Sequence, residues 1–225
     1  MTSIFVTGIG RGIGFQLARQ ALDRGWNVAG SVRTPEDRQR LLPLLHGATI
    51  LQFDVIDFAA IDNAASAFHE PIDILINNAG IITPARQSTT DMNFDGFAHT
   101  LLVNTLAPLK ISQAFLPNLR KSNNARLITI SSAMGLMQQA KSDRIAYRAS
   151  KSAVNKIMQA LATDLEADKI CVIAMHPGWV QSDMGGPAAD ISVYESAAGI
   201  LNVANSLEMS DSCQFINWDG TRMDW

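Results

Sequence analysis

The sequence is poor in what a nucleic-acid binder, a metalloprotein or a membrane protein depends on. Its 225 residues carry 18 Lys and Arg against 21 Asp and Glu, for a formal net charge of -3 and a pI near 5.8. There is no basic field to hold a polyanion, which argues against nucleic acid or an anionic membrane surface as the main partner. The histidines are scattered, without metal-ligand spacing or cysteine neighbours, so no metal is expected, and His176 ahead of Pro177 reads as structural. Cysteine is scarce: Cys171 and Cys213 both lie in apolar runs and read as buried thiols in strands, which suits a reducing compartment. No G-x-S-x-G elbow is present, which disfavours serine hydrolase chemistry although Ser132 follows a strand-like run. The segment most like a membrane span, Leu101 to Leu119, is interrupted by Asn104, Lys110, Gln113 and two prolines and reads as a buried helix. With no basic leader or cleavage site ahead of Ser3, a cytoplasmic protein is expected.

What is present is a core. At 47% hydrophobic and 17% charged, with no repeats, linkers or low-complexity tracts, residues 1–225 read as one domain. Apolar runs of strand length alternate with segments of helical periodicity. Strands are expected at Ser3 to Val6, Trp26 to Val32, Thr49 to Phe53, Ile72 to Ile76, Arg126 to Ile130, Ile170 to Met175 and Cys213 to Ile216. Helices are expected at Phe15 to Leu22, Pro35 to Leu45, Phe58 to Phe68, Asp95 to Arg120, Tyr147 to about Ala167, and Ser192 to Leu207, with a polar loop over Ile81 to Phe94. The pattern predicts an α/β fold, a doubly wound parallel β-sheet of Rossmann type with about seven strands and helices on both faces. Ligands would then sit at the C-terminal ends of the strands.

Three stretches fall on that edge. Gly8, Gly12 and Gly14, with Ile13 between the last two, lie between the first strand and first helix, where glycine permits close approach to a pyrophosphate and a helix N-terminus offers free N–H groups. Plain helix–strand packing would also use them. At the end of the second strand no acid stands at Ser31, Val32 or Arg33 to bind an adenosine 2′-hydroxyl; Arg33 and Arg11 instead favour a 2′-phosphate, hence NADP(H) over NAD(H). Asp54, followed by Val55, can accept from an adenine amino group or cap its own loop. Asn77-Asn78-Ala79-Gly80 ends the fourth strand in small residues over which a nucleotide could pass, although turn chemistry favours the same residues.

Tyr147 and Lys151 stand four apart in a helical segment and so share a face. A fixed ammonium beside a phenol lowers its pKa toward the range of a general acid, although such pairs also occur as ordinary surface packing. Asn104 sits among apolar neighbours and needs partners.

Thr7-Gly8-x-x-x-Gly12-x-Gly14, Asn77-Asn78-Ala79-Gly80, Asn104, Ser132, Tyr147-x-x-x-Lys151 and Pro177-Gly178 follow one another as in the short-chain dehydrogenase/reductase family, which the whole chain resembles. Tyr147-Arg148-Ala149-Ser150-Lys151, Pro177-Gly178-Trp179-Val180, Asp183-Met184-Gly185-Gly186-Pro187 and Asn217-Trp218-Asp219-Gly220 look like its C-factor-like and sniffer-like carbonyl reductase branch. The resemblance implies Tyr147 as acid/base, Ser132 as hydrogen-bond donor to the substrate oxygen and Lys151 as tuner of the phenol and ligand of the nicotinamide ribose. Asn104 would hold a relay water. It implies cofactor contacts at Gly8, Arg11, Gly12, Ile13, Gly14, Arg33, Asp54, Val55, Asn78, Ala79 and Gly80, with Pro177, Gly178, Val180 and Ser182 toward the nicotinamide carboxamide. The implied activity is reduction of an aldehyde, ketone or quinone with NADPH, or its reverse, with NAD(H) as the second choice of cofactor. A dinucleotide-binding regulatory or signalling protein is the alternative.

Ser132 and Tyr147 are fifteen apart, more than in many members, so Ser131 is a fallback for the serine. The segment after Met184 is shorter than the lid of many relatives, which predicts an open substrate side. Met134, Leu136, Met137, Trp179 and Met184 would face an apolar carbonyl substrate or else serve core and oligomer packing. The two long helices, Asp95 to Arg120 and Ile145 to Ala167, suggest a homodimer or homotetramer, as in many members.

Overall fold

The computed structural model describes residues 1–82 and 85–225, so positions 83 and 84 of the expected polar loop lie outside the described residues. In chain order the elements begin with β1 (Ser3–Thr7), α1 (Gly12–Asp23), β2 (Asn27–Val32), α2 (Pro35–Leu41), β3 (Thr49–Gln52), α3 (Phe58–Ala67) and β4 (Ile74–Asn77). A small hairpin, β5 (Gln87–Ser88) and β6 (Asp91–Met92), precedes α4 (Phe94–Leu101), a π-helical turn (Leu102–Leu106), α5 (Ala107–Ala114) and α6 (Leu116–Leu119). The rest comprises β7 (Arg126–Ile130), α7 (Ile145–Asp164), β8 (Cys171–His176), β9 (Val180–Gln181), β10 (Ile191–Ser192), α8 (Val193–Ser206), β11 (Gln214–Asn217) and β12 (Arg222–Met223).

The main sheet runs β12-β11-β8-β7-β4-β1-β2-β3, parallel except where β12 returns beside β11. That makes eight strands where about seven were expected; the added one is the short antiparallel edge. Its inner strands are apolar on both faces, as a parallel sheet covered on each side requires. Successive residues of β1 alternate between two cores: Ile4 and Val6 pack with α1 and α8, while Phe5 packs with α3, α5 and α7. Strand order reverses between β1 and β4, which opens a crevice at their C-terminal ends.

Three sequence expectations are corrected. The helix expected over Asp95 to Arg120 starts at Phe94, where Asn93 accepts from Gly96 N at 3.0 Å, and it is not continuous. Pro108 has no N–H to return to the preceding turn, and the backbone widens into the π-helical turn just before it; a second break falls at Phe115, ahead of Pro117. The second helix stops at Leu41 and not Leu45, two residues short of Pro43. Cys213 is only partly buried and lies outside the strand, with φ of +63°.

Arg126 is buried at the start of β7, and its guanidinium donates to Leu207 O at 3.0 Å and Asn205 O at 3.2 Å, two carbonyls at the end of α8. A cation there satisfies acceptors that the helix itself cannot. Among the described residues no helix is long and apolar enough to cross a membrane.

Candidate active site

The glycine turn is locked to the neighbouring strand. Thr7 Oγ1 accepts from Asn78 N at 3.0 Å and Ala79 N at 3.1 Å, and Asn78 Nδ2 donates to Thr7 O at 2.9 Å. Asn78 is therefore a clip between β1 and β4, its amide spent on backbone. A Cβ on Gly14 would fall 2.2 Å from Gly8 O and 2.5 Å from Asn78 Nδ2, so only glycine fits. Gly8 and Gly12 have φ of +72° and +56°, and open space faces Gly12. The N-terminus of α1 has no side-chain cap and no acid in its first turn. Its free N–H groups beside a Cβ-free turn fit a pyrophosphate.

At the end of β2 the two arginines have different partners. Arg33, just past β2, is exposed and has no hydrogen bond or ion pair among the described residues. Arg11 is instead ion-paired with Asp183, on the loop between β9 and β10. Arg33 is thus left without a partner at the end of β2, while a carboxylate distant in sequence holds Arg11. Arg40 donates to Gly10 O at 2.7 Å and to Asp37 Oδ1 at 2.6 Å, which places a second guanidinium beside the turn. Asp54 Oδ1 accepts from Ile56 N at 3.2 Å, so its loop-closing role is realised; Val55 beside it packs against the core.

Tyr147, Ser132, Lys151 and Asn104 come together where β7 meets α7. Tyr147 is 7% exposed and Lys151 5%. Ser132 lies beside the Tyr147 phenol, and the Lys151 ammonium lies 5.6 Å from the centre of the Tyr147 ring and donates to Ile130 O at 2.8 Å. Burial raises the phenol's pKa above its ordinary value, opposed by the Ser132 hydrogen bond and by the positive charge of Arg144. The direction is opposite to the one expected from the neighbouring Lys151: desolvation of the phenolate sets it, and the opposing charge is that of Arg144. Burial also lowers Lys151 to about 8.

Asn104, in the π-helical turn, holds both backbone groups of Ile81, with Oδ1 accepting from Ile81 N and Nδ2 donating to Ile81 O, each at 2.9 Å. It also donates to Ser150 Oγ at 3.0 Å, and a Cβ on Gly80 would lie 3.2 Å from its Oδ1 and 3.7 Å from Lys151 Nζ. A π-turn of this kind commonly marks a functional position. Ser131, the fallback, is 1% exposed and its hydroxyl is spent on Asn155, whereas Ser132 stands nearer the phenol.

Past β8, His176 Nδ1 accepts from Ala133 N at 3.4 Å, and burial lowers its pKa to about 4, so it is a neutral structural acceptor. Gly178, after Pro177, has φ of +83°, and a Cβ there would meet Ile191 Cδ1 at 2.6 Å and the Trp218 ring at 3.0 Å. Val180 is buried in β9, and Ser182 Oγ donates to Val180 O and accepts from Gly185 N, folding the loop onto itself. Of the apolar residues expected to face a substrate, Leu136 belongs to the core, whereas Met137, Trp179 and Met184 are exposed. Arg144, Arg40 and Asn155 were not singled out from the sequence, and Asp183 and Trp218 only as parts of branch motifs, since each acts through a partner distant along the chain or through a loop conformation.

The short chain dehydrogenase family profile matches residues 2–191. The chain belongs to that family. It is accordingly an NAD(P)-dependent oxidoreductase. Over 156 residues it is 36% identical to the C-signal protein of Myxococcus xanthus, covering 69% of this chain and 93% of that one. The carbonyl reductase Sniffer of D. melanogaster superposes with a TM-score of 0.93 at 31% identity, covering 100% of both chains. An NADPH-bound carbonyl reductase from chicken fatty liver gives 0.91 at 32% identity, covering 100% of this chain and 99% of that one.

Proposed function

We propose that this protein reduces an aldehyde, ketone or quinone to the alcohol with NADPH, Tyr147 supplying the proton. The observation that carries this reading is the buried cluster in which the Tyr147 phenol stands beside Ser132 with the Lys151 ammonium 5.6 Å from its ring centre. Bound NADPH supplies a hydride to the carbonyl carbon. As charge grows on the carbonyl oxygen, Ser132 donates a hydrogen bond to it and Tyr147 gives up its proton. A phenol whose pKa is raised by burial keeps that proton at neutral pH, which suits reduction. Lys151 holds a positive charge near the resulting phenolate, and Asn104 fixes the segment at Gly80 and Ile81 against α7.

The cofactor would lie along the uncapped α1 N-terminus and the glycine turn, with Gly8, Gly12, Ile13 and Gly14 at the pyrophosphate, Asp54 and Val55 near adenine, and Asn78, Ala79 and Gly80 below the nucleotide. Pro177, Gly178, Val180 and Ser182 would line its nicotinamide end. Arg33, unpaired and with no acid at Val32, supports NADPH over NADH, in keeping with the NADPH bound by the chicken carbonyl reductase. Exposed Phe94 and Leu106 support a homodimer or homotetramer built on α4 and α7.

The test is NADPH and NADH oxidation measured across aromatic aldehydes, ortho-quinones, diketones and ketosteroids, with Tyr147→Phe as control. Turnover with NADPH, reduced at least about a hundredfold by Tyr147→Phe, is expected. No turnover, or an active Tyr147→Phe protein, sinks the reading. Similarity to the C-signal protein favours a second reading, a dinucleotide-binding signalling protein. A Tyr147→Phe protein that binds NADPH and keeps its biological output would establish it.

A further inference from the structure

The last residues of β7 and the turn after it each grip α7. Ile130 accepts through its carbonyl from Lys151 Nζ at 2.8 Å. Ser131 Oγ donates to Asn155 Oδ1 at 2.5 Å and lies 3.5 Å from Lys151 O. Ser132 lies beside the Tyr147 phenol and holds its pKa down against burial. The outer two rungs belong to the proton-donating cluster, and the middle one contains neither a reacting group nor a cofactor contact.

Asn155 stands one helical turn beyond Lys151 and is 5% exposed, and its Nδ2 has no hydrogen-bond partner. A buried amide with one end unsatisfied costs stability that an apolar residue of similar size would not. The Ser131 backbone N donates to Met175 O at 2.7 Å, so the residue that Asn155 grips is itself fixed to β8. Through Ser131, α7 is thereby pinned to the sheet one turn beyond Lys151, on the side away from Tyr147.

We propose that Asn155 is a positioning residue of the proton-donating centre, acting through Ser131 to set the register of α7 against the end of β7. The inference rests on the proposed role of Tyr147. Ser152 Oγ also donates to Gly135 O at 2.7 Å and Arg148 to Met134 O at 3.4 Å, but those bonds reach the turn beyond Ser132; within β7 itself, loss of the Ser131–Asn155 bond leaves Ile130–Lys151 as the side-chain tie beside the phenol, and the setting of Tyr147 against Ser132 loosens. Displacement of a reacting group by about 1 Å can cost on the order of a hundredfold in rate.

The variants are Asn155→Leu, Ser131→Ala and their combination, with NADPH and an aromatic ortho-quinone as probes. Expected are a fall in kcat of about tenfold or more in each single variant, an NADPH dissociation constant by fluorescence within about twofold of wild type, and no lowering of Tm in Asn155→Leu. The double variant should lose no more than the worse single one, since the two residues act as a unit. A second readout needs no turnover. In a Tyr194→Phe background Tyr147 is the only phenol left, and absorbance of the phenolate follows its titration directly. Asn155→Leu should move that midpoint upward, because Ser132, which holds it down, is no longer set against the phenol. An unchanged or lowered midpoint overturns the proposal, as do fully additive losses or a kcat that stays at the wild-type value. An active Tyr147→Phe protein removes the underlying reading instead, and leaves the midpoint measurement to decide whether Asn155 positions the phenol.

Discussion

Lys151 is a buried cation with no carboxylate partner among the described residues, and burial lowers its pKa from 10.5 to about 8. Below pH 8 the folded protein must keep it charged and desolvated, a penalty on the order of 3 kcal/mol. As pH rises from about 8 toward 10.5 the unfolded chain holds the proton while the folded one has released it, so the penalty fades and stability rises. Lys151→Met should therefore raise Tm at pH 7 while abolishing turnover, and its advantage should shrink as the pH passes 8. Thermal unfolding of the two proteins between pH 6 and about 9.5 checks this; an advantage constant across the range would show that the ammonium is not desolvated as described. At this scale the sequence was partly legible. Tyr147 and Lys151 could be paired because the helical period alone puts them on one face. The Arg11–Asp183 and Ser131–Asn155 pairs could not, since nothing local records which distant residue faces a side chain. The direction of the Tyr147 shift was misjudged for a related reason: spacing reports the neighbouring charge, and burial is a tertiary property.

Element by element, the strands were the clearest part of the chain. Parallel strands buried on both faces must be apolar throughout, so Arg126 to Ile130 is found as expected, and its neighbours shift by only a residue or two. Helix interiors were harder. The period of 3.6 persists through Asp95 to Arg120, while the π-helical turn that carries Asn104 arises from a missing N–H at Pro108, and periodicity does not register it. Antiparallel β12 was missed because two residues are too short to carry an alternation. The exposed apolar side chains along α4 and the π-helical turn, Phe94 at 76% and Leu106 at 46%, bear on assembly. If α4 and α7 meet a second copy, light scattering should give twice or four times the 24.4 kDa chain mass, and Phe94→Glu should return it to one. A wild-type protein that scatters as a monomer removes the homo-oligomer.

Across the whole molecule, the same sheet edge carries the glycine turn, the Asn78 clip, Ser132 and the loop after β8, so the site is assembled from both halves of the chain. That arrangement was legible in the alternation of strands and helices, whereas the clasp of Arg11 to Asp183 across it was not. Arg126 adds a connection of another kind. Its guanidinium ties the start of β7 to the final carbonyls of α8, and α8 packs against α1, the helix that follows the glycine turn. Amide groups in β7 and α8 are then expected to exchange their hydrogens with solvent as one cooperative unit, at similar rates and slower than those of the exposed β5–β6 hairpin. Arg126→Met would uncouple them, letting the end of α8 exchange early while β7 stays protected; unchanged protection of α8 in that variant would refute the link. Loss of one guanidinium far from the phenol would then appear first as local opening of the helix behind the nucleotide cleft, with Ser132 still in place.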